Sequence, residues 1–171
     1  MADKGQILVR EVIEAAGGEV VGRIRLQKIV YLLEQLGLKS GFSFSYYHYG
    51  PYSEGLAEAV ERAQFFDKSV REDTGYTAYG NPFSIYSTSN TSSHAEFVGA
   101  LKADEARRLI QLMKAEQSVV IELAATIHWL KHKEKITNWK AELKRRKASK
   151  ADDVKIQQAE RLLDALHLDV S

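Results

Sequence analysis

Leu26-Gln27-Lys28-Ile29-Val30-Tyr31-Leu32-Leu33, followed further along by Tyr47-His48-Tyr49-Gly50-Pro51-Tyr52-Ser53, is the stretch on which the reading of the fold turns. Leu26, Ile29, Val30, Leu33 and Leu36 recur at the three- and four-residue spacing of a core-facing stripe, which predicts a helix over 23–36 that Gly37 terminates. From Phe42 to Tyr49 aromatic and small polar residues at first alternate, a pattern suited to a pleated strand. Gly50-Pro51 is expected to break that strand. Ser53 is then a credible N-cap for a helix through about Gln64, with Leu56, Val60 and Ala63 facing its core.

The same periodicities extend in both directions. Upstream, Ile7, Leu8, Val12, Ile13 and Ala16 share one helical face, and Gly17-Gly18 ends that helix. Downstream, residues 69–88 are strand-like: Tyr76-Thr77-Ala78-Tyr79, a Gly80-Asn81-Pro82 turn, then Phe83-Ser84-Ile85-Tyr86. They predict a hairpin packed on, or projecting from, the helices. Asn90-Thr91-Ser92-Ser93 reads as a polar loop. Leu109, Leu112 and Met113 predict a helix over 102–115. Ser118 is the expected cap of the next helix, whose stripe is Val120, Leu123, Ala124, Ile127 and Leu130. A short basic helix surrounds Trp139 and Leu143. The last helix has Ser149 and Asp152 at capping-box spacing and a stripe of Ile156, Ala159, Leu162, Leu163 and Leu166. The expected fold class is mainly α (α+β): one compact helical domain over 1–171 with a small antiparallel β-hairpin. Three N-terminal helices followed by a hairpin also make the front half winged-helix-like in outline.

Bulk properties fit that reading. A chain of 171 residues, 44% hydrophobic and 27% charged, matches a single globular domain with a core of its own. The absence of cysteine excludes disulfides, thiolate catalysis and sulfur-bound zinc. Met1-Ala2-Asp3-Lys4-Gly5 lacks the basic-then-apolar pattern of a signal peptide, and no apolar run approaches the ~18 residues of a membrane span, so a cytoplasmic protein with no membrane contact is expected. Net charge is +1 but unevenly distributed. Residues 131–150 hold nine Lys/Arg against two acids, a charge of +7, which leaves −6 for the rest. Such a segment presents either a solvated helix flank or a basic face for an anionic partner.

A search for chemistry returns little. Gly17 to Gly22 has phosphate-loop glycine spacing, but Arg23-Ile24 stands where Lys followed by Ser or Thr is required. His128 and His132 are four apart on one helix face, yet Trp129 occupies the position where a metalloprotease carries Glu, so neither a metal nor a cofactor site is expected. Asn90-Thr91-Ser92 is a glycosylation sequon by pattern only. No Gly-x-Ser-x-Gly elbow and no suggestive carboxylate pair occurs, so a non-catalytic protein is expected. Four of the eight tyrosines, Tyr46, Tyr47, Tyr49 and Tyr52, cluster about a Gly-Pro dipeptide. Tyrosine combines apolar area with a polar tip at low entropic cost, which suits a recognition surface as well as a strand with one buried face.

The Leu-Gln-Lys helix and the Tyr-Gly-Pro-Tyr-Ser turn, with Leu56 beyond it, resemble the YwgA-like proteins of bacteria and archaea, which are similar in turn to the Panacea domain and its SocA-type antitoxins. Glu122-Leu123-Ala124-Ala125-Thr126-Ile127, a Lys-rich stretch, then Ala159, Leu162-Leu163 and Leu166 extend the likeness along the tail. Panacea domains more usually carry an aliphatic residue after Gly-Pro, so Tyr52-Ser53 marks the YwgA-like branch. The resemblance implies a regulatory module that binds another protein, antitoxin-like or adaptor-like, the partner being a small toxin or a protease or chaperone client. The implied protein-binding residues are Gln27, Lys28, Tyr47, His48, Tyr49, Gly50, Pro51, Tyr52 and Ser53. The alternative is nucleic-acid binding through Lys140, Lys144, Arg145, Arg146, Lys147 and Lys150, with affinity that falls steeply as salt rises.

Overall fold

A computed structural model describes residues 2–89 and 95–168. The polar loop expected at Asn90-Thr91-Ser92-Ser93 and its sequon lie outside the described residues. Helix α1 (Lys4–Ala15) opens with a capping box in which the Asp3 carboxylate accepts from the Gln6 amide at 2.9 Å and the Gln6 side chain accepts from the Asp3 amide. The Gly17-Gly18 stop holds, but a short strand, β1 (Glu19–Val21), follows directly and was not foreseen. Helix α2 (Arg23–Gln35) is buried all round from Leu26 to Leu33. It ends as expected at Gly37, whose φ of +103° allows the Leu38 amide to reach back to the Leu33 carbonyl at 3.1 Å.

The aromatic stretch differs from expectation. Only Ser45–Tyr47 forms a strand (β2), and Gly50–Tyr52 is its antiparallel partner (β3), so Gly50-Pro51 continues the hairpin and the turn falls on His48-Tyr49. Proline is tolerated there because this two-stranded ribbon has no neighbour needing its amide. Ser53 caps α3 (Glu54–Phe65), its hydroxyl accepting from the Leu56 amide at 3.1 Å. Strands β4 (Arg71–Tyr76) and β5 (Pro82–Ser87) form the expected hairpin, which β1 joins in an antiparallel sheet of order β1-β5-β4. Pro82 opens β5 and does not belong to the turn.

Two further ladder segments, β6 (Phe97–Val98) and β7 (Leu101–Lys102), lead into α4 (Ala103–Lys114). Helix α5 (Ser118–His132) is preceded by Gln117 as N-cap, so Ser118 is its first residue and not its cap. Helix α6 (Trp139–Lys147) passes into a 3-10 turn at Ala148–Lys150, and α7 (Asp153–Ala165) closes the described chain. The cap of α7 is Asp152, which accepts from the Lys155 amide at 2.9 Å. Ser149 sits in the 3-10 turn, so no Ser149–Asp152 capping box forms.

The architecture is a helical α+β fold organised around two buried helices. Residues Val120 to His128 of α5 are all buried, with α2, α6, α7 and the β2-β3 hairpin packed around that helix. The predicted stripes of α5 and α7 are core in full, Leu130 and Leu166 included. Among the described residues no helix is long and apolar enough to cross a membrane.

Candidate functional site

The β2-β3 hairpin is held by polar side chains of buried helices. Burying a charge is costly unless it is paired and hydrogen-bonded, so each such group reports what the fold fixes in place. Gln27 bonds the backbone of Ser53 twice: its Nε2 donates to the Ser53 carbonyl and its Oε1 accepts from the Ser53 amide, both at 2.9 Å. The next residue, Lys28, is 1% exposed and donates from Nζ to the Pro51 carbonyl at 2.5 Å. The Leu-Gln-Lys motif is thus the clamp on the Gly-Pro-Tyr-Ser strand. Gln27 and Lys28 point inward, so their contribution to any surface is made through the hairpin they hold.

A second clamp rises from α5. Glu122, buried, accepts from Lys147 Nζ at 2.9 Å and from Lys150 Nζ at 3.5 Å. Lys147 also donates to the His48 carbonyl at 3.2 Å. Gly50 lies against α5 at φ +90°, where an added Cβ would stand 2.6 Å from Thr126 Oγ1. Only glycine meets both demands. Desolvation, reinforced by the neighbouring Lys147 and only partly offset by Glu122, pulls the Lys28 ammonium down to about 7. Burial lowers Lys147 as well, with Glu122 opposing the shift.

Outward from this frame the hairpin presents rings. Tyr47 and Tyr49 are 44% and 51% exposed. Tyr47 meets Tyr52 edge to face at 5.3 Å, and its hydroxyl donates to Glu54 at 3.3 Å. On the other side the basic segment folds over the same hairpin: Arg146 lies 4.7 Å above the Tyr46 ring and Lys150 4.9 Å above Tyr49. The two residue sets singled out separately in the sequence therefore adjoin. Within the basic set, Lys140, Lys144, Arg145 and Lys150 are exposed, whereas Lys147 is turned inward and Arg146 is half-buried. Carboxylates offset several of these charges: Lys144 pairs with Asp153, Arg145 with Glu142, and Arg146 with both Glu134 and Glu142.

Beneath the hairpin, Tyr31 donates or accepts at 2.8 Å with Nδ1 of His128, whose ring stacks on His132 at 4.6 Å. Burial and the adjacent His132 hold His128 down to about 4, which keeps it neutral at ordinary pH. Among the described residues no group of three or more His, Cys, Asp or Glu converges as a metal site. Glu122, Thr126 and Tyr31 escaped the sequence reading as parts of this assembly. For Glu122 a signal existed: a lone carboxylate within Val119-Val120-Ile121-Glu122-Leu123-Ala124-Ala125 is a charge inside an apolar run, which requires a buried partner.

No protein-family model matches the chain. Two curated proteins are similar to it. The uncharacterized protein YwgA of Bacillus subtilis is 27% identical over 113 residues, 64% of this chain and 65% of that protein. A DNA ADP-ribosyl glycohydrolase of Thermus aquaticus is 28% identical over 134 residues, 77% of this chain but only 36% of that protein. In both cases the match spans less than two-thirds of the relative's length. The second similarity corrects the expectation of a non-enzyme, since one relative of the chain is a glycohydrolase. That expectation rested on missing contiguous motifs, and a site assembled from distant residues leaves no such motif.

Proposed function

We propose that the chain is a regulatory binding module, antitoxin-like or adaptor-like, that docks another protein through the tyrosine hairpin. The observation carrying this reading is the contrast between the two sides of residues 47–53. The inner side is fixed by Gln27, Lys28 and Lys147 and packs closely on Thr126, and the outer side offers Tyr47 and Tyr49 to solvent. Rigid aromatic anchors lose little entropy on binding, which is what interface hot spots require. The resemblance to YwgA-like and Panacea proteins supports a protein partner. The similarity to a DNA ADP-ribosyl glycohydrolase supports a partner that works on DNA.

Co-expression with the product of the neighbouring gene tests the proposal. A co-purifying complex, or rescue from that product's toxicity, is expected, and a Tyr47→Ala/Tyr49→Ala variant should weaken it by about 10-fold or more while remaining folded. The absence of both complex and rescue would overturn the reading. A second reading, nucleic-acid binding by the α6 face, is favoured by one further observation. Exposed Lys140, Lys144, Arg145 and Lys150 adjoin the same hairpin in a chain related to a protein acting on DNA.

A further inference from the structure

We infer that the α6 face takes a single-stranded nucleic acid, laid along α6 and Tyr49, and not a duplex; this rests on the second reading above. The face interleaves rings with cations. Lys131 and Lys140 each stand 5.6 Å from the Trp139 ring, Arg146 lies 4.7 Å from Tyr46, and Lys150 lies 4.9 Å from Tyr49. Trp139 and Arg146 are seven residues apart, two turns along one side of a nine-residue helix that is about 14 Å long. Aromatic stations therefore sit near both ends of a basic track, the combination on which unpaired bases stack while their phosphates meet Lys and Arg. Bases inside a duplex present no free ring face to such stations. The exposed ion pairs of Lys144 and Arg145 exchange readily for phosphate contacts.

The front half argues against a duplex on the opposite side. Its order, α1-β1-α2-β2-β3-α3-β4-β5 with sheet order β1-β5-β4, is a winged-helix outline with the β2-β3 hairpin inserted before α3, the helix that such an outline would place in a major groove. Here that helix turns Glu54, Glu58 and Glu61 to solvent, and a phosphate backbone repels them.

Fluorescence anisotropy with a labelled oligothymidylate, a duplex of equal length and polyglutamate, each at low and high salt, tests the inference. The oligothymidylate should bind with log affinity falling linearly in log salt and with tryptophan quenching. Tyr49→Ala should weaken it about 10-fold. Lys140→Glu should lower the salt slope, and Glu58→Gln should leave binding unchanged. Duplex binding as tight as single-strand binding, with Tyr49→Ala harmless, overturns the single-strand inference and leaves the nucleic-acid reading standing. No binding of either at low salt removes both. Polyglutamate binding of equal strength overturns the inference in favour of an acidic protein partner.

Discussion

Glu122 is the residue on which most of the interior electrostatics depends. It pairs with both Lys147 and Lys150, and its field also favours the Lys28 ammonium. Removing one partner of a buried pair strands the other, at a cost of about 3–5 kcal/mol. Glu122→Gln should therefore lower stability by about that much in urea titration, more than the loss of an exposed, solvent-screened pair such as Lys144–Asp153. Lys28 adds a pH dependence of definite sign. Its folded pKa of about 7 lies below the ordinary lysine value of 10.5, so across that interval the unfolded chain binds more protons. Stability should rise with pH from about 7 towards 10, by at most about 1.4 kcal/mol per pH unit from this group. Lys28→Met should flatten the slope measured by denaturation between pH 7 and pH 9. His128, held at about 4 against the ordinary histidine value of 6.5, acts in the same sense lower down, so stability should fall as pH drops from 6.5 towards 4.

At the scale of elements, the β2-β3 hairpin and α3 form one unit, because Ser53 follows β3 directly and caps α3. Gly50→Ala would place a methyl group at φ +90° and 2.6 Å from Thr126 Oγ1. Strain and overpacking together should cost about 2–4 kcal/mol and appear as a lowered Tm. Ser53→Ala removes only the cap on Leu56 and should cost about 1 kcal/mol. The helices were legible in the sequence because apolar residues recur at helical spacing; in α3 and α7 that spacing records the buried side, whereas α2 and α5 are buried beyond their predicted stripes. The turn at His48-Tyr49 was not legible. Gly50-Pro51 carries the chemistry of a turn, and only contacts with α5 and α2, distant in sequence, make it a strand. The three-residue strand β1 was hidden for the same reason, since its partner β5 begins more than sixty residues later. Of the candidate site, the tyrosines and cations were legible one by one. Their adjacency was not, because it is made through Glu122.

For the whole molecule, α5 is the shared spine: α2 and the hairpin pack on one part of it and α6 and α7 on others. Leu163, 1% exposed in α7, should therefore behave as a core residue of the entire fold. Leu163→Ala is expected to cost about 2–5 kcal/mol in a single cooperative transition followed by circular dichroism. Two distinct transitions would instead mean that front and rear unfold independently. The charge asymmetry belongs to this scale too, with +7 between residues 131 and 150 on a chain of net +1, so an anionic partner is oriented by field as well as by contact. Lys28 has one further consequence, for chemical labelling. An amine with a pKa near 7 is a strong nucleophile towards acylating reagents, yet this one is sealed beneath Pro51 and should acquire label only during excursions that lift the hairpin. Its acylation rate, followed by mass spectrometry beside that of exposed Lys140, becomes a clock for those excursions.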